Sequence, residues 1–182
     1  GLDGGTGAPA LQERIFRAHV RVARALGLPL VVHVLRAHDA APRILREERA
    51  ADVVLHSYSG GAALVPVYAA LGCAFSFAGP VTYPNARRPI EAARAVPAEL
   101  LLAETDAPDQ APYRSPASLG PPPGGASGPA RHGGRRSEPG FLPSVIAGLA
   151  AARGADPAEV AARTTANAAR LFRSWSQAIL PR

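Results

Sequence analysis

The chain has 182 residues, a formal net charge of +6 and 47% hydrophobic residues, enough for one cored domain or for part of a larger one. No apolar run approaches the ~20 residues that span a bilayer, no charged-then-apolar leader opens the chain, and the single Cys73, set in the stretch CAFSF, excludes an internal disulfide framework and fits a buried thiol in a reducing, cytoplasmic setting. All 20 basic residues are arginine in a background rich in Ala, Gly and Pro, a coding-bias pattern, so the basic balance is weak support for nucleic-acid binding. Gly1 stands first and no methionine occurs, which reads as a processed or partial chain.

Residues 10–26 place Leu11, Ile15, Val22 and Leu26 at helical spacing with arginines between them, an amphipathic helix closed by Gly27. Pro29 opens a first strand at 30–35. Residues 38–50 read as a helix with Asp39 as N-cap and Pro42 in its first turn. A strand at 52–57 precedes a helical stretch at 60–72, interrupted by Pro66 and ended by Gly72. A third strand covers 73–79, a helix 86–96 and a fourth strand 100–104. Residues 114–140 are rich in Pro, Gly and Ser and read as a long loop. Two helices then fill 141–174, the second from an Asp156 N-cap with Pro157 at its first position. Strand and helix alternate throughout, which implies repeated βαβ units in a parallel sheet or (β/α) barrel.

In such folds reactive groups gather at the carboxyl ends of the strands. His33, His56 and Asp106 fall at or just past the ends of three different strands. Imidazole nitrogen and carboxylate oxygen suit Zn²⁺ and similar ions, and Asp106 is also a candidate to activate an attacking water. Taken alone, His33 would read as a hydrogen-bonded core histidine; the coincidence at three strand ends favours a shared site. Glu104 reads either as a group supporting that site or as an arginine's partner. His19 reads as surface, His38 as a helix cap or solvent-exposed, and His132 as a loop residue without a role. Ser59-Gly60-Gly61 either turns N–H groups toward an anion or is a plain turn.

Seven segments in order resemble the TatD family of metal-dependent hydrolases. GLD at 1–3 matches the end of a G-E-x-G-L-D motif, and Gln12 with LPLVVHVLRAHDA matches an L-P-x-x-x-H segment. VVLHSYSGG matches H-x-F-S-G, and GPVTYPNARR matches G-x-[IV]-T-Y-P. LLAETDAPD matches L-L-x-E-T-D-[AS]-P, RRSEPGFLP matches R-x-N-x-P, and TANAARLF matches a terminal N-A-x-x-L-F.

The resemblance implies a TIM-barrel fold. It also implies divalent metal ions (Zn, Mg or Mn) and hydrolysis of phosphodiester bonds, with DNA as the expected partner and no membrane. His33, His56 and Asp106 match metal ligands of the family, and Asp106 also matches the carboxylate that helps activate water. The family's D-x-H-x-H motif and bridging glutamate would lie upstream of Gly1. The chain therefore reads as one partial barrel domain, 1–182, holding strands five to eight. Leu35 stands where the family usually has arginine, Tyr58 where it has phenylalanine, and Ser137 where it has asparagine. Two other readings stay open. One is an amidohydrolase-like hydrolase of another bond. The other is a truncated, non-catalytic remnant or binding module.

Overall fold

A computed structural model describes residues 1–113 and 136–172. Residues 114–135, most of the expected loop, and 173–174, the end of the last expected helix, lie outside the described residues, and so does His132. The chain order is β1 (Leu2–Asp3), α1 (Pro9–Leu26), β2 (Leu30–Leu35), α2 (Ala40–Glu47), β3 (Val53–His56), α3 (Val65–Ala69), β4 (Ala74–Phe77), α4 (Arg87–Ala95), β5 (Leu101–Ala103), α5 (Leu142–Arg153) and α6 (Pro157–Leu171). The strands form one parallel sheet in the order β1-β2-β3-β4-β5. Each neighbouring pair is thus a βαβ unit.

The strands show why the apolar runs fold this way. In β2, Val32 and Val34 are buried while Val31, His33 and Leu35 are exposed, the two-residue period of a strand with unlike faces. β3 and β4 are buried more evenly, as parallel strands covered on both sides should be. One core lies beneath the helices, where Val53, Leu55, Phe75, Phe77 and Leu101 meet side chains of α1 to α6. On the other face Val54, Ala74 and Leu102 pack against Ala168, Leu171 and Phe172. Asn167 fixes this end of α6, since its Nδ2 donates to the carbonyls of Ala98 (2.8 Å) and Leu101 (2.9 Å) beside β5. That contact accounts for an asparagine in the NAARLF segment. No helix among the described residues is long and apolar enough to cross a membrane.

Several expectations are corrected in detail. α1 does not bury Leu11, Ile15, Val22 and Leu26, which are 44%, 46%, 57% and 64% exposed; it buries Phe16 and Val20. At 3.6 residues per turn the exposed stripe lies roughly 130° around the helix from that buried pair. With Phe16 and Val20 in the core, this rotation also brings α1 into ion pairs with α2. Arg17 reaches Glu13, Glu47 and Glu48, Arg21 reaches Glu48, and Arg24 Nη1 donates to the Glu48 carbonyl at 2.7 Å. Asp39 occupies the N-cap of α2, yet its side chain caps nothing. Pro66 does not interrupt a helix; it stands in the first turn of α3, where its missing N–H costs no bond. Asp156 does cap α6, its Oδ1 accepting from the Ala158 N–H at 2.6 Å.

Candidate active site

The parallel register sets His33 directly opposite His56 on adjacent strands, so both imidazoles leave the same face of the sheet near its carboxyl edge. Their ring centroids are 6.5 Å apart. β5 ends at Ala103, and the segment beyond it folds back over β3. Glu104 and Asp106 then flank the His56 ring on its two nitrogens. His56 Nδ1 lies 2.9 Å from Glu104 Oε2, and His56 Nε2 lies 3.0 Å from Asp106 Oδ1. Glu104 Oε1 also accepts the Ser57 N–H at 2.5 Å. The hydrogen bond His56 donates to Glu104 raises the His56 pKa above its ordinary value, opposed by burial and aided by the nearby charge of both carboxylates. Among the described residues Glu104 is therefore partnered by this histidine and the Ser57 N–H, and by no arginine.

The carboxylate of Asp106 is restrained in turn. Gln110 Nε2 donates to Asp106 Oδ2, and Gln110 Oε1 accepts from Ser57 Oγ at 2.8 Å. This leaves Oδ1 facing the imidazole. The backbone around these groups is unusual: Arg36, Ser57, Asp106 and Gln110 adopt positive φ angles of 52°, 42°, 50° and 53°. Such left-handed non-glycine positions cost about 1–3 kcal/mol each and persist only where surrounding contacts fix them. Those contacts are visible. Ser137 Oγ donates to the Thr105 carbonyl (2.9 Å) and its N–H to the Pro108 carbonyl (2.7 Å), holding the turn that carries Asp106. Tyr83 Oη donates to the Ala111 carbonyl, and Thr82 Oγ1 accepts from the Tyr113 N–H. Gly79 lets the chain pass close by, since a Cβ there would lie 1.9 Å from the Gln110 carbonyl oxygen.

His33, His56 and Asp106 thus line one cleft of about 380 Å³, together with Ser57, Gln110 and Arg88. Among the described residues no three His, Cys, Asp or Glu side chains stand close enough to form a ready metal-holding group. The convergent pair is His56 Nε2 with Asp106 Oδ1, and the exposed His33 flanks it. The pair suits a divalent ion in donor chemistry: nitrogen and oxygen atoms converge while the second nitrogen of His56 is held by a carboxylate, the usual support for a metal-binding imidazole. Among the described residues the other histidines, His19 and His38, do not join. His19 is exposed. His38, expected at a helix cap or in solvent, is half-buried, with Nδ1 3.0 Å from Tyr68 Oη and Nε2 3.4 Å from Ser59 Oγ.

Tyr58, the residue after His56 and Ser57, stacks edge-on against Phe75 with centroids 5.0 Å apart, and burial pushes its phenol up to about 12. Its ring supports the cleft wall, and its Oη donates to the Gly61 carbonyl at 3.1 Å, a bond phenylalanine does not make. The sequence reading missed Ser57, Gln110 and Arg88. Ser57 lies within the HSYSGG segment and Gln110 directly follows ETDAPD, and only the fold shows them touching.

A family model described as TatD related DNase matches residues 1–173. An uncharacterized metal-dependent hydrolase of Bacillus subtilis, YabD, is 32% identical over 90% of this chain and 58% of its own length. The 3′-5′ ssDNA/RNA exonuclease TatD of Klebsiella pneumoniae is 34% identical over 90% of this chain and 59% of its own. The crystal structure of YjjV, a TatD homologue from Escherichia coli, superposes with a TM-score of 0.78 at 24% identity, covering 94% of this chain and 61% of that one. The chain thus spans about three-fifths of the length of the relatives it matches.

Proposed function

Because the chain belongs to the TatD family of related DNases, we propose that it serves a metal-dependent hydrolase that cleaves phosphodiester bonds of nucleic acid, DNA foremost, by attack of water. The observation that carries this reading is the His56–Asp106 convergence at the strand ends, with Glu104 behind the imidazole. The names of the relatives, metal-dependent hydrolases and a single-strand exonuclease, support it.

In this reading β1 is the end of the fourth strand of a TIM-type barrel, and β2 to β5 are strands five to eight. His33, His56 and Asp106 would hold a divalent ion, Zn, Mg or Mn. When bound, such an ion supplies polarisation of a phosphoryl oxygen and acidification of water. The protein's own groups do the rest. Glu104 keeps the proton of His56 on Nδ1, so that Nε2 offers a lone pair. Gln110 donates to Oδ2 of Asp106 and so holds Oδ1 toward His56 Nε2, where Asp106 would help hold the ion and orient the attacking water. The cleft's apolar wall, including Phe77 and Val81, limits competing solvent.

A non-catalytic binding module is the second reading, favoured by the lack of a closed three-donor group among the described residues. Incubating the protein with a fluorescent single-stranded oligonucleotide separates the two. The enzymatic reading expects shortened products with Mn²⁺, Mg²⁺ or Zn²⁺, none with EDTA, and a fall of about 10²-fold or more in Asp106→Ala. Binding without shortening under every metal sinks it.

A further inference from the structure

The geometry points to Arg88 as the residue that holds a phosphate of the substrate in the cleft, which makes the preferred substrate a polyanion and not a neutral ester or amide. This rests on the nucleic-acid reading above and deepens it.

Arg88 stands in the first turn of α4, across the cleft from the strand ends. It is the one cationic side chain lining the cleft among the described residues. Leu35, at the end of β2 and also lining the cleft, contributes no charge. The guanidinium lies over the bend after Ser59: its Nε is 3.7 Å from where a Cβ on Gly61 would stand. Gly60 permits that bend, because a Cβ there would meet the Tyr58 Oη at 2.3 Å.

Three further observations favour an anion at this place. Among the described residues Arg88 makes no ion pair and no side-chain hydrogen bond, whereas Arg17, Arg21, Arg43 and Arg163 are all paired with carboxylates. Its position is electrostatically unfavourable within the fold. The first turn of α4 carries Arg87 and Arg88 and no acid, so two cations sit at the positive end of a helix dipole. The charge also reaches into the cleft. Burial first, then Arg88, pulls the His38 ring below its ordinary pKa, and Arg88 opposes the burial that raises Tyr58. The cleft is thus bipolar. Asp106 and Glu104 with the imidazoles form the end suited to a metal, and Arg88 forms an end suited to phosphate. A planar fork of N–H donors fits phosphate oxygens in a bidentate way that an ammonium does not.

The test is binding of a short fluorescein-labelled oligothymidylate by anisotropy in EDTA, alongside metal-supported hydrolysis. Arg88→Ala is expected to weaken binding and raise KM by about tenfold, with kcat changed far less, and to lower the salt slope of binding by about one. Arg88→Lys is expected to recover part of the loss. An uncharged methylphosphonate oligomer is expected to bind the wild type and Arg88→Ala alike. The residue is exposed and unpaired, so the variant should fold; Arg88→Gln and circular dichroism guard against a collapsed protein. Arginine-dependent binding without any hydrolysis supports the assignment and overturns only the enzymatic reading. Hydrolysis with binding and KM unaltered in Arg88→Ala and Arg88→Gln overturns the assignment and spares the enzyme. A wild type with no affinity for the charged oligomer overturns it as well.

Discussion

Replacing Glu104 with Gln changes one oxygen to an amide nitrogen and nothing in size. The carboxylate now serves two donors, His56 Nδ1 at 2.9 Å and the Ser57 N–H at 2.5 Å. Glutamine keeps one acceptor, which the fixed backbone N–H of Ser57 claims. Its NH₂ then faces His56 Nδ1, and an N–H facing an N–H is avoided only if the imidazole moves its proton to Nε2. That nitrogen is the one 3.0 Å from Asp106 Oδ1, so the lone pair meant for a metal is blocked. Loss of a carboxylate supporting a metal-bound imidazole typically lowers affinity 10–100-fold, which corresponds to about 1.4–2.7 kcal/mol. Titration calorimetry with Mn²⁺ and Zn²⁺ measures the affinity, and imidazole ¹⁵N shifts report where the proton resides. A folded Glu104→Gln protein that binds both ions as tightly as the wild type, with the proton still on Nδ1, refutes the reasoning.

Two other outcomes are expected. Phe16→Ala should cost about 3–5 kcal/mol, as for other buried aromatic rings, while Ile15→Ala on the exposed stripe should change stability by less than about 0.5 kcal/mol; urea unfolding of both variants checks the rotation of α1. The Glu48 carboxyl, bonded by Arg21 and then by Arg17, is drawn from its ordinary 4.5 down to about 2. The stabilisation it brings is complete above pH 4.5 and is lost as pH falls toward about 2. Melting temperatures across that range should drop more steeply in the wild type than in Glu48→Gln.

Much of the fold was legible because its strands are apolar runs bounded by Gly and Pro, and such runs have few alternatives to a buried parallel sheet. β2 matches the expected 30–35, β3 to β5 fall inside the expected segments, and β3 is bounded by the left-handed Asp52 and Ser57. The rotation of α1 was not legible. Its period supports two apolar faces, and the one that places Phe16 and Val20 in the core also brings Arg17, Arg21 and Arg24 to α2, contacts some 24 to 31 residues distant in sequence. β1 is two residues long and shows no period of its own. At the candidate site, His33, His56 and Asp106 were readable as strand-end positions. Gln110 and Arg88 were not, since the first matters only through a bend with positive φ and the second only because the first turn of α4 lines the cleft.

The stripe on α1 has a consequence for how the protein behaves in bulk. Leu11, Ile15, Val22 and Leu26, with Val31 and Leu35 on the sheet, leave large apolar side chains in contact with water. The drive to remove such surface weakens in the cold and strengthens with sulfate. Solutions of this chain should therefore stay clear longest on ice at low sulfate, and should cloud on warming or salting well before the fold itself melts.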